Sequence, residues 1–315
     1  MIEGYLLDGE KKLQEKGIAN KITATPGSSA RINREYLDSL LIELRTIDSV
    51  EASTSMELFG ETFSTPVMVA AISGLNNICP DGMTEVAKGA AAANAVMWAG
   101  IGDERELRSM TDTGAKVVKI IKPYADTGLI FQKIEQAERC GAFAIGMDTD
   151  FFFGSKRNPR LAQAFPVSPK TLSELKSYIA ATRLPFVFKG VLSVRDAEKA
   201  AEAGAAGIVV SHHGASVTDY AVPPLRVLPD IAKALGGKLP IFADCGISSG
   251  FDAFKAMALG AQGVCMGRAV MAGLAAGGAE GVRKVIEGAT AELQRVMSLT
   301  GSADCRGIDP GVLWR

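Results

Sequence analysis

From Pro66 onward the chain alternates short apolar runs with stretches rich in Ala, Leu, Lys and Glu, and it does so eight times. The runs occupy residues 67–72, 95–99, 116–121, 143–147, 186–189, 207–211, 240–243 and 263–266. Each is apolar on both faces, the pattern of a strand covered on both sides of a parallel sheet. Between them lie stretches such as 84–94, 129–140, 172–181, 194–203, 228–235 and 250–259, whose composition suits helices. Eight strand–helix units in roughly 200–250 residues predict a (β/α)8 TIM barrel, α/β in class. The alternative, an open doubly wound sheet, lacks support because no run is followed by G-x-G-x-x-G. An internal echo agrees: AAEAGAAGIVVS (200–211) and KAMALGAQGVCMG (255–267) both run from helix end through Gly204 or Gly260 into a strand.

The organisation expected is a single unit over 1–315, with an N-terminal helical segment (1–60), a barrel core (61–280) and a C-terminal helix and tail (281–315). Apolar spacing predicts one helix over 33–47 with Asn33 as its N-cap, and another over 281–299 that stops before Gly301. Both read as packing elements rather than carriers of chemistry.

Charge and cysteine usage narrow the function. With 34 basic against 35 acidic residues, the net charge of −1 gives no field for a nucleic-acid backbone. No apolar run approaches the ~18 residues of a membrane span, and the acidic, interrupted N-terminus is unlike a signal peptide, so a cytoplasmic protein is expected. Five cysteines, an odd number without a C-x-x-C pair, point to reduced thiols and to no metal site.

In a barrel the chemistry sits at the C-terminal ends of the strands. Those ends carry Ser73, Gly74, Gly100, Lys119, Lys122, Asp148, Lys189, Ser211, His212, His213, Asp244, Gly246, Gly267 and Arg268. The chain has two histidines, and both stand here, side by side. An imidazole at a strand end suits a proton-transfer role, and a carboxylate such as Asp148 could fix its tautomer; the alternatives are a surface histidine and a loop-capping aspartate. Lys189 ends an apolar strand, either directed outward or held in the barrel mouth to balance negative charge. After the seventh and eighth runs, Asp244-Cys-Gly246-Ile-Ser-Ser-Gly250 and Gly267-Arg268 match the place and chemistry of a barrel phosphate site. The long segment 151–168, with Lys156, Arg157 and Arg160, is a candidate substrate-contacting loop.

These residues resemble the FMN-dependent α-hydroxy acid oxidase and dehydrogenase family, from Thr46 to about Gly301. IDSVEASTSMELFGETFSTPVMVAAISG is similar to that family's approach to the first strand, and FKGVLSVRDAEKAAEAGAAGIVVSHHGA to its V-K-G-V-L and S-N-H-G-G motifs. The ADCGISSG and MGR segments are similar to D-G-G-[IV]-R-x-G and V-G-R. The resemblance implies an FMN oxidoreductase that passes electrons from a hydroxyl-bearing substrate, a 2-hydroxy acid or related compound, to flavin N5. It implies His213 as base, Asp148 as its partner and Lys189 beside the reduced flavin. Cofactor contacts fall to Ile72, Ser73, Gly100, Lys119, Lys189, Ser211, Asp244, Gly246, Gly267 and Arg268. A homo-oligomer, a small-molecule substrate and an electron acceptor that the sequence does not name complete the implication.

The chain departs from the family where substrate is held. The carboxylate-binding arginine of N-H-G-G-R-Q-L-D is Ser216, the Q-L-Y-V tyrosine is lost with Tyr124 out of register, its glutamine is Lys119, and an arginine of the phosphate motif is Ser248. Losing a bidentate carboxylate clamp calls for another cation. Substrate contacts are therefore expected from Lys122, Tyr124, Arg157, Arg160, His212 and Ser216. Two other readings of the same residues are an isomerase like the type 2 isopentenyl diphosphate isomerases and a noncatalytic flavin-binding barrel.

Overall fold

Every one of the eight apolar runs forms a strand, because each can bury both faces only between neighbours and a covering helix. The protein is described by a computed structural model over residues 2–18, 27–155 and 166–314. In chain order the strands are β1 (Leu41–Ile42), β2 (Met56–Leu58), β3 (Glu61–Phe63), β4 (Val67–Ile72), β5 (Met97–Ala99), β6 (Val117–Ile121), β7 (Ala144–Asp148), β8 (Phe186–Val191), β9 (Gly207–Val210), β10 (Ile241–Ala243), β11 (Gly263–Met266) and β12 (Leu313–Trp314). Among the described residues, β4 to β11 pair in parallel in sequence order and close through β11 against β4, with Val264 opposite Val67. The (β/α)8 barrel expected from the alternation is the fold.

Helix starts in the barrel are set by side-chain caps that satisfy backbone N–H groups. Asp103, Asp126, Ser193 and Ser249 accept from the residue three ahead, and Thr171 forms a capping box with Glu174. Met68, Trp98, Val118, Ile120, Val187, Val209 and Phe242 fill the barrel interior, with Trp98 edge-on to Phe242 at 5.5 Å. The hairpin β2–β3 adds Met56, Leu58 and Phe63 to that cluster, opposite the strand ends that carry the polar residues. Outside it, apolar faces of the helices form a second, larger core.

Several boundaries differ from expectation. The helix expected over 33–47 spans Ser29–Ser39, and Leu40 turns extended before β1 pairs antiparallel with β12. Asn33 is therefore not a cap: it is buried inside the helix, and its amide donates to the Cys245 carbonyl at 2.8 Å. A long-range partner outweighed the local capping preference. A helix over Glu104–Thr111, between β5 and β6, was not anticipated; its polar, charged sequence hides two buried residues, Leu107 and Met110. The backbone leaves helical values at Gly277–Gly278; the helix expected over 281–299 follows that break, and a further helical stretch from Arg268 precedes it. None of the described helices is long and apolar enough to cross a membrane.

Candidate active site

The eight strands point their C-terminal ends to one side, and there β6, β7 and β8 bring three charged residues into contact. Asp148, the last residue of β7, is buried, with one carboxylate oxygen 2.5 Å from Lys122 Nζ and the other 3.2 Å from Lys189 Nζ. Lys189 also lies 3.7 Å from Asp244 at the end of β10. Burial by itself would raise the Asp148 carboxyl; the charges of Lys122, Lys189 and His213 outweigh it and hold the group well below the usual carboxylate range. For Lys189 burial again opposes the charge, and Asp148, Asp244 and Asp150 overcome it, keeping the amine protonated far above neutrality. Removing one partner of such a network leaves an uncompensated buried charge, at a cost of about 3–5 kcal/mol.

His213 stands over this network. Its backbone adopts a left-handed φ of 56°, anchored by donation from its N–H to the buried Ser211 hydroxyl at 3.0 Å. Its Nδ1 lies 3.1 Å from Asp150, 3.4 Å from Lys189 Nζ and 3.5 Å from Asp148, while Nε2 lies 3.5 Å from Lys122 Nζ. Phe151 packs against the ring with centroids 4.9 Å apart, and Lys122 Nζ lies 3.8 Å from the centroid of the same Phe151 ring. Asp148, Asp150 and His213 form a trio with ligand-type spacing, but the two ammonium groups already lie against it and balance its charge.

A cavity of about 530 Å³ opens beside this centre, within the range of small-molecule sites. Its lining includes Lys189, His213, Gly214 and Ser216, Ala70, Ala71 and Ile72 of β4, and Asp244, Gly246, Gly267 and Arg268. At Gly267 and Arg268 the lining combines the first turn of the Arg268–Leu299 helix with a guanidinium, the pairing that holds an anion. A flavin nucleotide fits this chemistry. A Cβ added to Gly214 would meet nothing within 4 Å, and one added to Gly267 would meet only Ala70 and Ile72 at ordinary contact distance, so backbone there borders open space. A buried cation, Lys189, also lines the cavity, 3.7 Å from Asp244.

Not every expected site residue reaches the cavity wall. Lys119 is buried beside the wall, donates to the Gly100 carbonyl, and faces Glu106; burial pushes its amine down to about 8. Gly100 itself donates its N–H to the Ile72 carbonyl, close to Ser73. His212 points away: its Nδ1 accepts from the Ala215 N–H at 3.1 Å, its Nε2 is buried without a partner, and burial lowers its pKa. That histidine caps a turn rather than facing the cavity. Tyr124 is buried and bridged to Val167, its hydroxyl made less acidic by burial and by Asp148. Arg157 and Arg160 lie outside the described residues.

Three residues at the site were not anticipated. Asp150, two beyond Asp148, makes the shortest contact to His213. Cys245, with a left-handed φ of 73°, donates to Asp244 at 2.7 Å and accepts from the Gly214 N–H, and burial holds its thiol protonated. Arg34, from the N-terminal Ser29–Ser39 helix, lines the cavity while paired with Asp252 and bonded to the Gly246 carbonyl. Spacing alone carried a signal for Asp150, which shares the strand end with Asp148; Arg34 had none, because its place depends on a contact 218 residues away in sequence.

Fold and site together define a barrel flavoprotein. The model of the FMN-dependent dehydrogenase family matches residues 20–179 and 170–315, and this chain belongs to that family. It is an oxidoreductase with FMN as cofactor. The glycolate oxidase of Spinacia oleracea is 31% identical over 312 residues, covering 88% of this chain and 84% of the relative. Glycolate oxidase 3 of Arabidopsis thaliana is 32% identical over 316 residues, covering 88% and 85%. Among solved structures, mandelate oxidase with benzoyl-formic acid superposes with a TM-score of 0.88 at 29% identity, over 98% of this chain and 97% of that one. Neither the isomerase nor the noncatalytic reading is favoured by these relatives.

Proposed function

We propose that this chain oxidises a 2-hydroxy acid, or a closely related hydroxyl-bearing anion, at the cavity beside His213. The observation that carries the reading is the position of that imidazole, on the cavity wall, braced from behind by Asp148, Asp150 and Lys189. The naming of the relatives after glycolate and mandelate supports the substrate class.

FMN, when bound, supplies the two-electron acceptor. Gly246, Gly267 and Arg268 would hold its phosphate and Asp244 its polyol chain, with Ile72 and Ser73 along the ring edge and Lys189 at the charge-bearing end. His213 Nε2 takes the substrate proton, since Nδ1 is turned to the carboxylates. Lys122, 3.5 Å from Nε2, takes over part of the anion-holding task that Ser216 has given up, as a point charge rather than a bidentate fork. Exclusion of water falls to Phe151, which covers the ring and the Lys122 ammonium.

Anaerobic mixing of the FMN-loaded protein with a panel of 2-hydroxy acids tests this by bleaching of the flavin absorbance. His213→Gln should slow bleaching by about 10² or more while FMN content stays constant. A panel that leaves the flavin oxidised, or a variant that bleaches at the normal rate, overturns the reading. A homo-oligomeric, cytoplasmic enzyme is the corresponding reading at the level of assembly and compartment, supported by family membership and by five free cysteines; light scattering on the holoenzyme checks the former.

A further inference from the structure

We infer that Asp150 is the positioning residue for the His213 imidazole, and that Asp148 serves instead to bind the Lys122–Lys189 pair. The inference rests on His213 being the base, as proposed above. Both oxygens of Asp148 are already engaged by ammonium groups, Oδ2 by Lys122 at 2.5 Å and Oδ1 by Lys189 at 3.2 Å. Its 3.5 Å approach to Nδ1 is longer than a normal N–H···O bond, whereas Asp150 Oδ1 at 3.1 Å is within range.

Among the described residues, Asp150 has no competing hydrogen bond. The His213 ring is its hydrogen-bond partner among the described residues, and its other oxygen is buried without one. Lys189 approaches Nδ1 to 3.4 Å, but its protons have carboxylate acceptors in Asp148 and Asp244. Two backbone features place Asp150. Thr149 donates both its N–H, at 2.7 Å, and its hydroxyl, at 3.0 Å, to the Lys189 carbonyl, fixing the chain just before it. Gly190, with a φ of 94°, leaves the space that the carboxyl fills, since any Cβ there would overlap it.

A donor N–H on Nδ1 leaves the Nε2 lone pair toward the cavity. Asp150 therefore selects the tautomer that can accept a substrate proton.

The chain's two histidines make the test direct, because ¹⁵N-histidine labelling of the holoenzyme gives only two imidazoles. Asp150→Asn should shift the His213 ring toward the Nε2–H tautomer and slow flavin bleaching at least tenfold, with FMN content and substrate KM within about twofold of wild type. Asp148→Asn, if it retains FMN, should keep the Nδ1–H form. An unchanged His213 tautomer in Asp150→Asn overturns the inference, whatever happens to Asp148→Asn. If His213→Gln also bleaches normally, the base assignment itself has failed; if only Asp150→Asn is silent, the failure is confined to the positioning role.

Discussion

At the scale of single residues, the site works because small backbones make room for large charges. Gly190 is one such place: its left-handed φ and the Asp150 carboxyl behind it exclude any side chain. Gly190→Ala should push Asp150 off the imidazole and slow turnover roughly tenfold or more, given the ~1–3 kcal/mol of strain such a position imposes. Anaerobic bleaching with retained FMN checks it. Lys119 illustrates a different cost. Burial lowers its amine to about 8, below the ordinary lysine value. Between pH 8 and about 10 the folded chain has released a proton that the unfolded chain keeps, so stability from this group rises with pH across that window and the burial cost is felt fully below it. The difference in Tm between Lys119→Met and wild type should therefore fall as pH rises from 7 to 10; a constant difference would show that the amine titrates normally.

Elements add what residues alone do not: a shared direction. Because β4 to β11 are parallel, their last residues meet, and Asp148, Lys189, His213 and Asp244 become neighbours from segments spread over about a hundred positions. Strand interiors are correspondingly intolerant. In β7, a Cβ on Gly146 would come within 2.6–2.7 Å of Val187 and Ile120 side chains. Gly146→Ala should destabilise by about 1–3 kcal/mol through overpacking, measurable by urea unfolding at fixed FMN. The element pattern was readable because two-sided burial leaves an unbroken apolar run. The helix pattern overruns the Ser29–Ser39 helix because Leu40 to Ile47 also suits an extended edge, and only the distant β12 decides between the two. The Glu104–Thr111 helix leaves little trace in the sequence pattern because just Leu107 and Met110 of it are buried.

On the scale of the whole molecule, the cavity joins elements from both ends of the chain: Leu6 and Arg34 near the start, Arg268 and Met271 near the end. Binding there should hold those parts together, so added FMN is expected to raise Tm, by the equivalent of about 2.7 kcal/mol at a hundred times Kd. Riboflavin, which offers no phosphate to Gly246, Gly267 and Arg268, should stabilise less, and Arg268→Ala should narrow that gap. Equal shifts from both compounds in the wild type would remove the phosphate cradle from its place.

The sequence by itself determined the barrel, through the eightfold repetition of buried strand and helix, and with it the face on which chemistry had to gather. It also marked the individual strand-end residues, since a charge at the end of an apolar run stands out locally. Which of those charges touch was decided only by the tertiary structure: His212 turns inward to cap a loop, Lys119 stops short of the cavity, Asp150 reaches His213, and Arg34 arrives from a remote helix. Side-chain partnership depends on distances of a few ångströms between segments far apart in the chain, and periodicity along the chain carries no record of them.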